Sequence, residues 1–230
     1  MVTSAEWRHV PTGRLALLAQ RARGVFASPS TWYRLAREHG WPRLRGRRKG
    51  PLVGIRVSRP EELWHIDKTV IRIVDGTRVC LHAVIDNFSR RILAWRVIEA
   101  FGEWTSANLL VAAGRGLGAG ARRPTLLADA GVENRNRFVD PLIEAWWRSL
   151  KHQWLFLHPL DSAAMVRRLV EFYDAEHNLR LPHSAFGGQT PEEMYFGTEG
   201  VVKERLAAGR RAARLARVAA NRTASCSVRA

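Results

Sequence analysis

Three carboxylates stand where the strand and helix patterns of this chain could bring them together. Asp67 lies inside an apolar run, Asp129 closes a later short run, and Glu144 sits in a helical stretch. Two Asp and one Glu make a hard-oxygen site suited to Mg2+, which takes few carboxylates and completes its shell with water and substrate phosphate. Two-metal phosphoryl transfer on DNA uses such a set, one ion activating the attacking oxygen and the other steadying the leaving oxygen. Spacing alone leaves each residue a structural alternative. Asp67 could pair with Lys68 or Arg72, Asp129 could sit in a turn ahead of Gly131, and Glu144 could pair with Arg148 four residues on. Asp86, followed by Asn87 between two apolar runs, carries a turn signal and reads as structural.

An α/β domain over about 61–195 must position these residues. Residues 63–74 and 77–85 alternate like strands and are joined by Asp75-Gly76, a hairpin signal; 91–97 follow after Asp86-Asn87. Three antiparallel strands are expected, then a helix over about 104–117 and a short strand over 124–128 that ends at Asp129. Asp140 and Pro141 have the chemistry of an N-cap and a first helical position, opening a helix to about Trp154. Ile143, Trp147, Leu150 and Trp154 share one face of it, while Glu144, Arg148 and Lys151 lie on another. A further helix spans about 162–177, and Thr190, Pro191 and Glu193 form a capping box for a short one.

Ahead of that domain, Thr12 can cap a helix over 14–23, and Ser28 with Pro29 can open a second one that Gly40 ends. Two short helices around a glycine-containing turn suggest a helix-turn-helix. Ser30, Thr31, Arg34, Arg37 and His39 fall on exposed positions of the second helix, with Trp32, Tyr33 and Leu35 facing inward. That suits a major-groove reader; a helical hairpin without a DNA role fits these residues too. Arg45, Arg47, Arg48 and Lys49 lie in a glycine-interrupted stretch that reads either as a solvated tether or as a segment tracking phosphates. The composition shifts divide the chain into a DNA-binding segment (1–42), a basic linker (43–60), a core (61–198) and a basic helix with a tail (199–230), the helix running over 201–219.

The 230 residues carry a formal net charge of +16. A polyanion is the natural partner, since Arg forks suit phosphate oxygens and neutralising phosphates releases counterions. A basic surface serving solubility, a ribosomal protein and an anionic-membrane binder are the other classes with such a balance. No stretch approaches the about 18 apolar residues of a membrane span, and the charged start lacks a signal-peptide core, so no membrane partner and a cytoplasmic location are expected. Cys80 and Cys226 support neither a disulfide framework nor a Cys-based zinc site.

Several ordered motifs then carry a resemblance. Trp64-His65-Ile66-Asp67-Lys68-Thr69, Ala83-Val84-Ile85-Asp86-Asn87-Phe88-Ser89-Arg90-Arg91 and Leu127-Ala128-Asp129-Ala130-Gly131-Val132-Glu133-Asn134 are similar to core blocks of bacterial insertion-sequence transposases related to retroviral integrases. Leu142-Ile143-Glu144-Ala145, Ser149-Leu150-Lys151, His177-Asn178, Pro182-His183 and Gly188-Gln189-Thr190-Pro191-Glu192-Glu193 resemble the family's later core. The resemblance implies a ribonuclease H-like mixed sheet with flanking helices, behind a helix-turn-helix segment. It further implies Mg2+ (or Mn2+) at Asp67, Asp129 and Glu144, and strand cleavage followed by strand transfer. Double-stranded DNA at element ends and target would be the partner, met by a homo-oligomer, with Arg148 and Lys151 near its phosphates.

This chain departs from the family in one place. Fourteen residues separate Asp129 from Glu144, where the family has a longer segment with a further strand and a mobile loop. The expectation is a core short of that strand and loop, with impaired catalysis; the amino-terminal segment also reads as short. A catalytically inactive DNA-binding remnant and a nuclease that cuts without joining are the rival readings.

Overall fold

The computed structural model describes residues 1–41, 55–100, 102, 104–118, 122–128 and 141–227. Its helices and strands are, in chain order, α1 (Thr12–Arg23), α2 (Pro29–Glu38), β1 (Leu63–Arg72), β2 (Arg78–Asp86), β3 (Ile92–Ile98), α3 (Thr105–Gly114), β4 (Thr125–Ala128), α4 (Pro141–Gln153), α5 (Ala163–Ala175), α6 (Pro191–Tyr195) and α7 (Glu199–Ser227). They form two compact units: residues 47–180 make one, and residues 1–46 with 181–230 make the other.

In the α/β unit, the first half of β1 and most of β2 are buried in continuous runs, with apolar residues on both faces, so the sheet there needs cover on both sides. Ile71, Ile73, Val79, Leu81, Ala83 and Ile85 point to one side, where Ile143, Trp146, Trp147 and Leu150 of α4 and Val166, Val170 and Tyr173 of α5 meet them. Trp64, Ile66 and Val84 point to the other, against Leu109 and Ala113 of α3. Burying each such side chain stabilises the fold by roughly 1.5–3 kcal/mol. The order of strands is β3-β2-β1-β4, with β1, β2 and β3 antiparallel and β4 parallel to β1. This is a mixed four-stranded sheet between helical layers, and its three hairpin strands lie within two residues of their expected ends.

Asp86 has more to do than turn the chain. It is fully buried, its Oδ1 accepting the Glu61 N–H (2.9 Å) and its Oδ2 accepting the Ser89 N–H (2.7 Å) and hydroxyl (2.6 Å). Its own carbonyl accepts the Arg90 N–H. Glu61 and Arg90 both hold positive φ, 64° and 65°, a conformation costing about 1–3 kcal/mol outside glycine, and both are bonded to Asp86. Burial pushes the Asp86 carboxyl up, against the lowering bonds from Ser89 and Glu61. Next to it, the Asn87 side chain accepts the Val57 N–H and donates to the Ile55 carbonyl, fixing the approach to β1.

The other unit joins the two ends of the chain. Leu15 and Leu18 of α1 pack with Trp7, Val10 and Leu181. Arg21 clasps Glu193 with both guanidinium nitrogens, one at 2.6 Å, and also donates to the Gly188 carbonyl at 2.8 Å. The Thr190–Glu193 capping box forms as its spacing requires. Residues 181–198, assigned to the core from composition, cluster here with residues 1–46.

Three local expectations give way. Pro11, not Thr12, holds the N-cap position of α1, because Thr12 is fully buried in the first turn. In α2 the buried stripe is Ala36 with partly buried Trp32, four residues apart; Tyr33 and Leu35 fall to either side and stay more than a third exposed. α7 continues to Ser227 instead of stopping near 219, since nothing in its second half breaks a helix.

Replacing Asp86 by Ala strands buried donors of Glu61 and Ser89 and should cost about 3 kcal/mol, read as a lower denaturation midpoint at unchanged m-value. A second expectation concerns pH. Burial alone would raise the Glu193 carboxyl, but the Arg21 hydrogen bond, the Thr190 amide and the charges of Arg21 and Arg205 outweigh it and hold it below its ordinary 4.5. Such a carboxylate contributes stability that is full above the ordinary value and fades as pH falls through the lowered one. Thermal melts from pH 7 downward should show that loss below pH 4.5, and Glu193→Gln should lower the neutral-pH melting point and flatten the acid limb.

Candidate functional site

The site grows from the packing of α4 on β1. Ile143, Trp146, Trp147 and Leu150 follow the i, i+3, i+4, i+7 pattern of a helix burying one stripe, and all four are buried. Trp146 was missing from the sequence-derived face; its neighbour Trp147 was on it. A buried indole needs a partner for its N–H, and Trp147 finds one on the strand: Nε1 donates to Asp67 Oδ2 at 2.8 Å. The other carboxylate oxygen accepts the Lys68 main-chain N–H at 2.7 Å.

One helical turn further on, Lys151 Nζ donates to Thr69 Oγ1 at 2.5 Å and to the Val70 carbonyl at 3.2 Å. Four helical residues advance about 6 Å and two strand residues about 6.6 Å, so Trp147 and Lys151 reach Asp67 and Thr69 on one face of β1 without strain. Burial lowers the Lys151 ammonium pKa, while the Asp67 charge draws it the other way. Lys151, expected to meet phosphate, thus has its ammonium committed to β1.

Glu144 lies three residues before Trp147, a spacing that puts Cβ atoms about 5–6 Å apart on a helix surface. It is exposed, and among the described residues its carboxylate has no hydrogen-bond or ion-pair partner; the alternative of a pair with Arg148 does not form. Arg148 is exposed as well. Asp129 lies outside the described residues, as does Asp140. The residue before Asp129 is described: Ala128 ends β4 paired in parallel with Ile66, the residue before Asp67.

Asp67 is thus half-buried under its bond to Trp147, and Glu144, one turn earlier on α4, presents an exposed carboxylate. Their chemistry fits a hard divalent cation. Among the described residues no group of three His, Cys, Asp or Glu side chains stands close enough to hold a metal ion. Nothing in the sequence marked Trp147 as a donor to Asp67; the available signal was a tryptophan one turn from Glu144 on a face that must touch the Asp67 strand.

Of the residues expected to read DNA, Ser30, Thr31, Arg34 and Arg37 belong to the other unit. Ser30 and Arg37 of α2 are exposed, Thr31 is half-buried with its N–H on the Ser28 hydroxyl, and Arg34 pairs with Glu38 at 2.9 Å. Arg45, Arg47, Arg48 and Lys49 lie outside the described residues. No helix among the described residues is long and apolar enough to cross a membrane.

No family model matches the chain, and no curated protein matches it. Among solved structures it is similar to a chain of the cryo-EM structure of a simian T-cell lymphotropic virus intasome in complex with PP2A regulatory subunit B56 gamma. That likeness has a TM-score of 0.46 and 13% identity, over 83% of this chain and 70% of the other.

Trp147→Phe removes the donor and also part of the buried ring volume. Its loss at neutral pH should be larger by about 1 kcal/mol with Asp67 present than in an Asp67→Ala background, the difference being the hydrogen bond. Additive losses in that double-mutant cycle would show that the indole acts through packing alone.

Proposed function

We propose that this chain is a DNA recombinase of the transposase and integrase kind, with a ribonuclease H-like core that cuts and joins strands using Mg2+ (or Mn2+) at Asp67, Asp129 and Glu144. The observation that carries the reading is the pinning of α4 on β1: it brings Glu144 within a turn of the donor to Asp67, on the strand that β4 joins in parallel. In that pairing Ala128, the residue before Asp129, stands beside Ile66, the residue before Asp67. The ordered sequence motifs and the +16 charge support it independently.

Divalent ions bound there supply an acidified attacking hydroxyl and neutralise charge at the leaving oxygen. The chain's own residues orient that site. Trp147 fixes the Asp67 carboxylate through Oδ2, Lys151 locks the helix to β1, and Glu144 presents an uncommitted carboxylate from the same helix. Cleavage puts a water oxygen on the phosphorus and releases a 3′-hydroxyl; that hydroxyl then displaces a second ester in target DNA, with no covalent enzyme intermediate. Duplex DNA is the substrate, α2 its reader, and two protomers on paired ends the working form. The short stretch between Asp129 and Glu144 lowers the rate, because two-metal chemistry tolerates about half an ångström of error in ligand placement. That same stretch favours, as a second reading, a DNA-binding remnant without catalysis.

Supercoiled plasmid incubated with the protein should become nicked and joined with Mg2+ and stay intact with EDTA. Asp67→Asn and Glu144→Gln should each reduce product on the order of 100-fold or more while leaving DNA affinity within about twofold. Tight plasmid binding with no product in Mg2+ or Mn2+ would select the remnant; cutting without joined product would select a nuclease.

A further inference from the structure

α7 is long for what it buries. Its 29 residues extend about 43 Å, yet Val202 and Leu206 are its fully packed side chains, and from Arg214 to Arg222 every residue is exposed. The same stretch is chemically one-sided: from Arg205 to Arg222 there are six arginines and no Asp or Glu. A helix that stands in water with six like charges carries self-repulsion that an anionic partner would remove.

Contacts within its own unit sort these arginines. Arg210 Nε donates to Gln20 Oε1 at 2.9 Å, and Arg217 donates to the Phe26 carbonyl at 3.2 Å, so these two staple α7 to α1 and to the α1–α2 turn. Just before Arg210, Gly209 lies under the Phe26 ring so closely that a Cβ there would sit 2.1 Å from it. Arg211 and Arg214 have no hydrogen-bond or ion-pair partner for their side chains among the described residues. Arg214 is four residues after Arg210 and three before Arg217, so it shares their face, toward the turn that leads into α2. Phe26 stands two residues before Ser28, the N-cap of α2, whose first turn carries Ser30 and Thr31.

We propose that α7 grips the phosphodiester backbone of double-stranded DNA through Arg211 and Arg214, beside the N-terminal turn of α2, with Arg210 and Arg217 holding the helix in place. This rests on the reading of α2 as a DNA reader and adds the element that fixes its register. Recognition helices meet base edges with their N-terminal residues, while neighbouring cations bind phosphates and set orientation. The alternative occupant, an anionic lipid surface, calls for a helix with a large apolar face. The large apolar side chains that α7 exposes are Val201, Leu215 and Val218, and its remaining apolar surface is mostly alanine.

The test measures duplex affinity of the full chain by fluorescence anisotropy across salt concentrations, on two unrelated sequences. Each phosphate contact contributes a slope of about 0.9 in log affinity against log salt, so Arg211→Gln with Arg214→Gln should flatten the slope by about 1.8, equally on both sequences. Arg211→Lys with Arg214→Lys should retain it. Gly209→Val, which keeps every charge and displaces the helix from Phe26, should weaken binding and flatten the slope as the Gln pair does. An unchanged slope in the Gln pair, with wild-type helicity and melting point, overturns the proposal while leaving DNA binding by α2 intact. Failure of the wild type to bind duplex at all sinks both readings. Loss of binding to phosphatidylserine vesicles with DNA binding unaltered assigns α7 to membranes and overturns it as well.

Discussion

The contact between Trp147 and Asp67 sets the register of α4 on β1, on which the proposed site depends. A carboxylate half-open to water can rotate freely, and a helix laid on a sheet can slide by a turn. One indole N–H removes both freedoms, since it demands that Oδ2 face the helix and that the helix keep one register against β1. Lys151 on Thr69 repeats the constraint at the next turn. Two polar pins over a shared apolar seam define a position far better than the seam alone, because apolar packing is non-directional and tolerates sliding. Glu144, with no pin of its own, inherits its place from its helix.

The opposite logic governs Asp86. It lies inside the structure, where an ionised group must be fully satisfied to be tolerated, and its acceptors are taken by Glu61 and Ser89. Asp67 is half-buried and keeps some solvent access; Asp86 is fully buried. Two aspartates on neighbouring strands thereby differ in burial, a difference that residue type cannot express.

What was legible in the sequence is what local chemistry decides. The alternation in β1, β2 and β3, the Asp75-Gly76 turn and the Thr190–Glu193 capping box each depend on residues within a few positions, and each formed as read. The failures are tertiary. Thr12 has the right side chain for a cap, but its position is buried, and Pro11 takes the boundary. Tyr33 and Leu35 are apolar enough for an interior, yet the stripe centred on Trp32 and Ala36 leaves them outside. The Trp147 bond joins residues 80 positions apart, and Arg21 to Glu193 spans 172, distances over which pattern carries no information about partners.

That last span also says how the chain folds. Residues 47–180 separate the two halves of the terminal unit, and closing a flexible loop of that length costs on the order of 4 kcal/mol in chain entropy. Helices α1, α2 and α7 are short or solvent-bathed, so little of that cost is met before the ends meet. If the α/β unit folds first, its compact form brings positions 47 and 180 far nearer than a random coil would, and most of the closure cost is already absorbed. The clasp of Arg21 on Glu193 and the packing of Leu181 on Trp7 and Leu15 then form late, between segments already held near each other. On that order of events the closure of the terminal unit is contingent on integrity of the sheet, so a lesion at Asp86 raises the chain-entropy cost of bringing the two ends together.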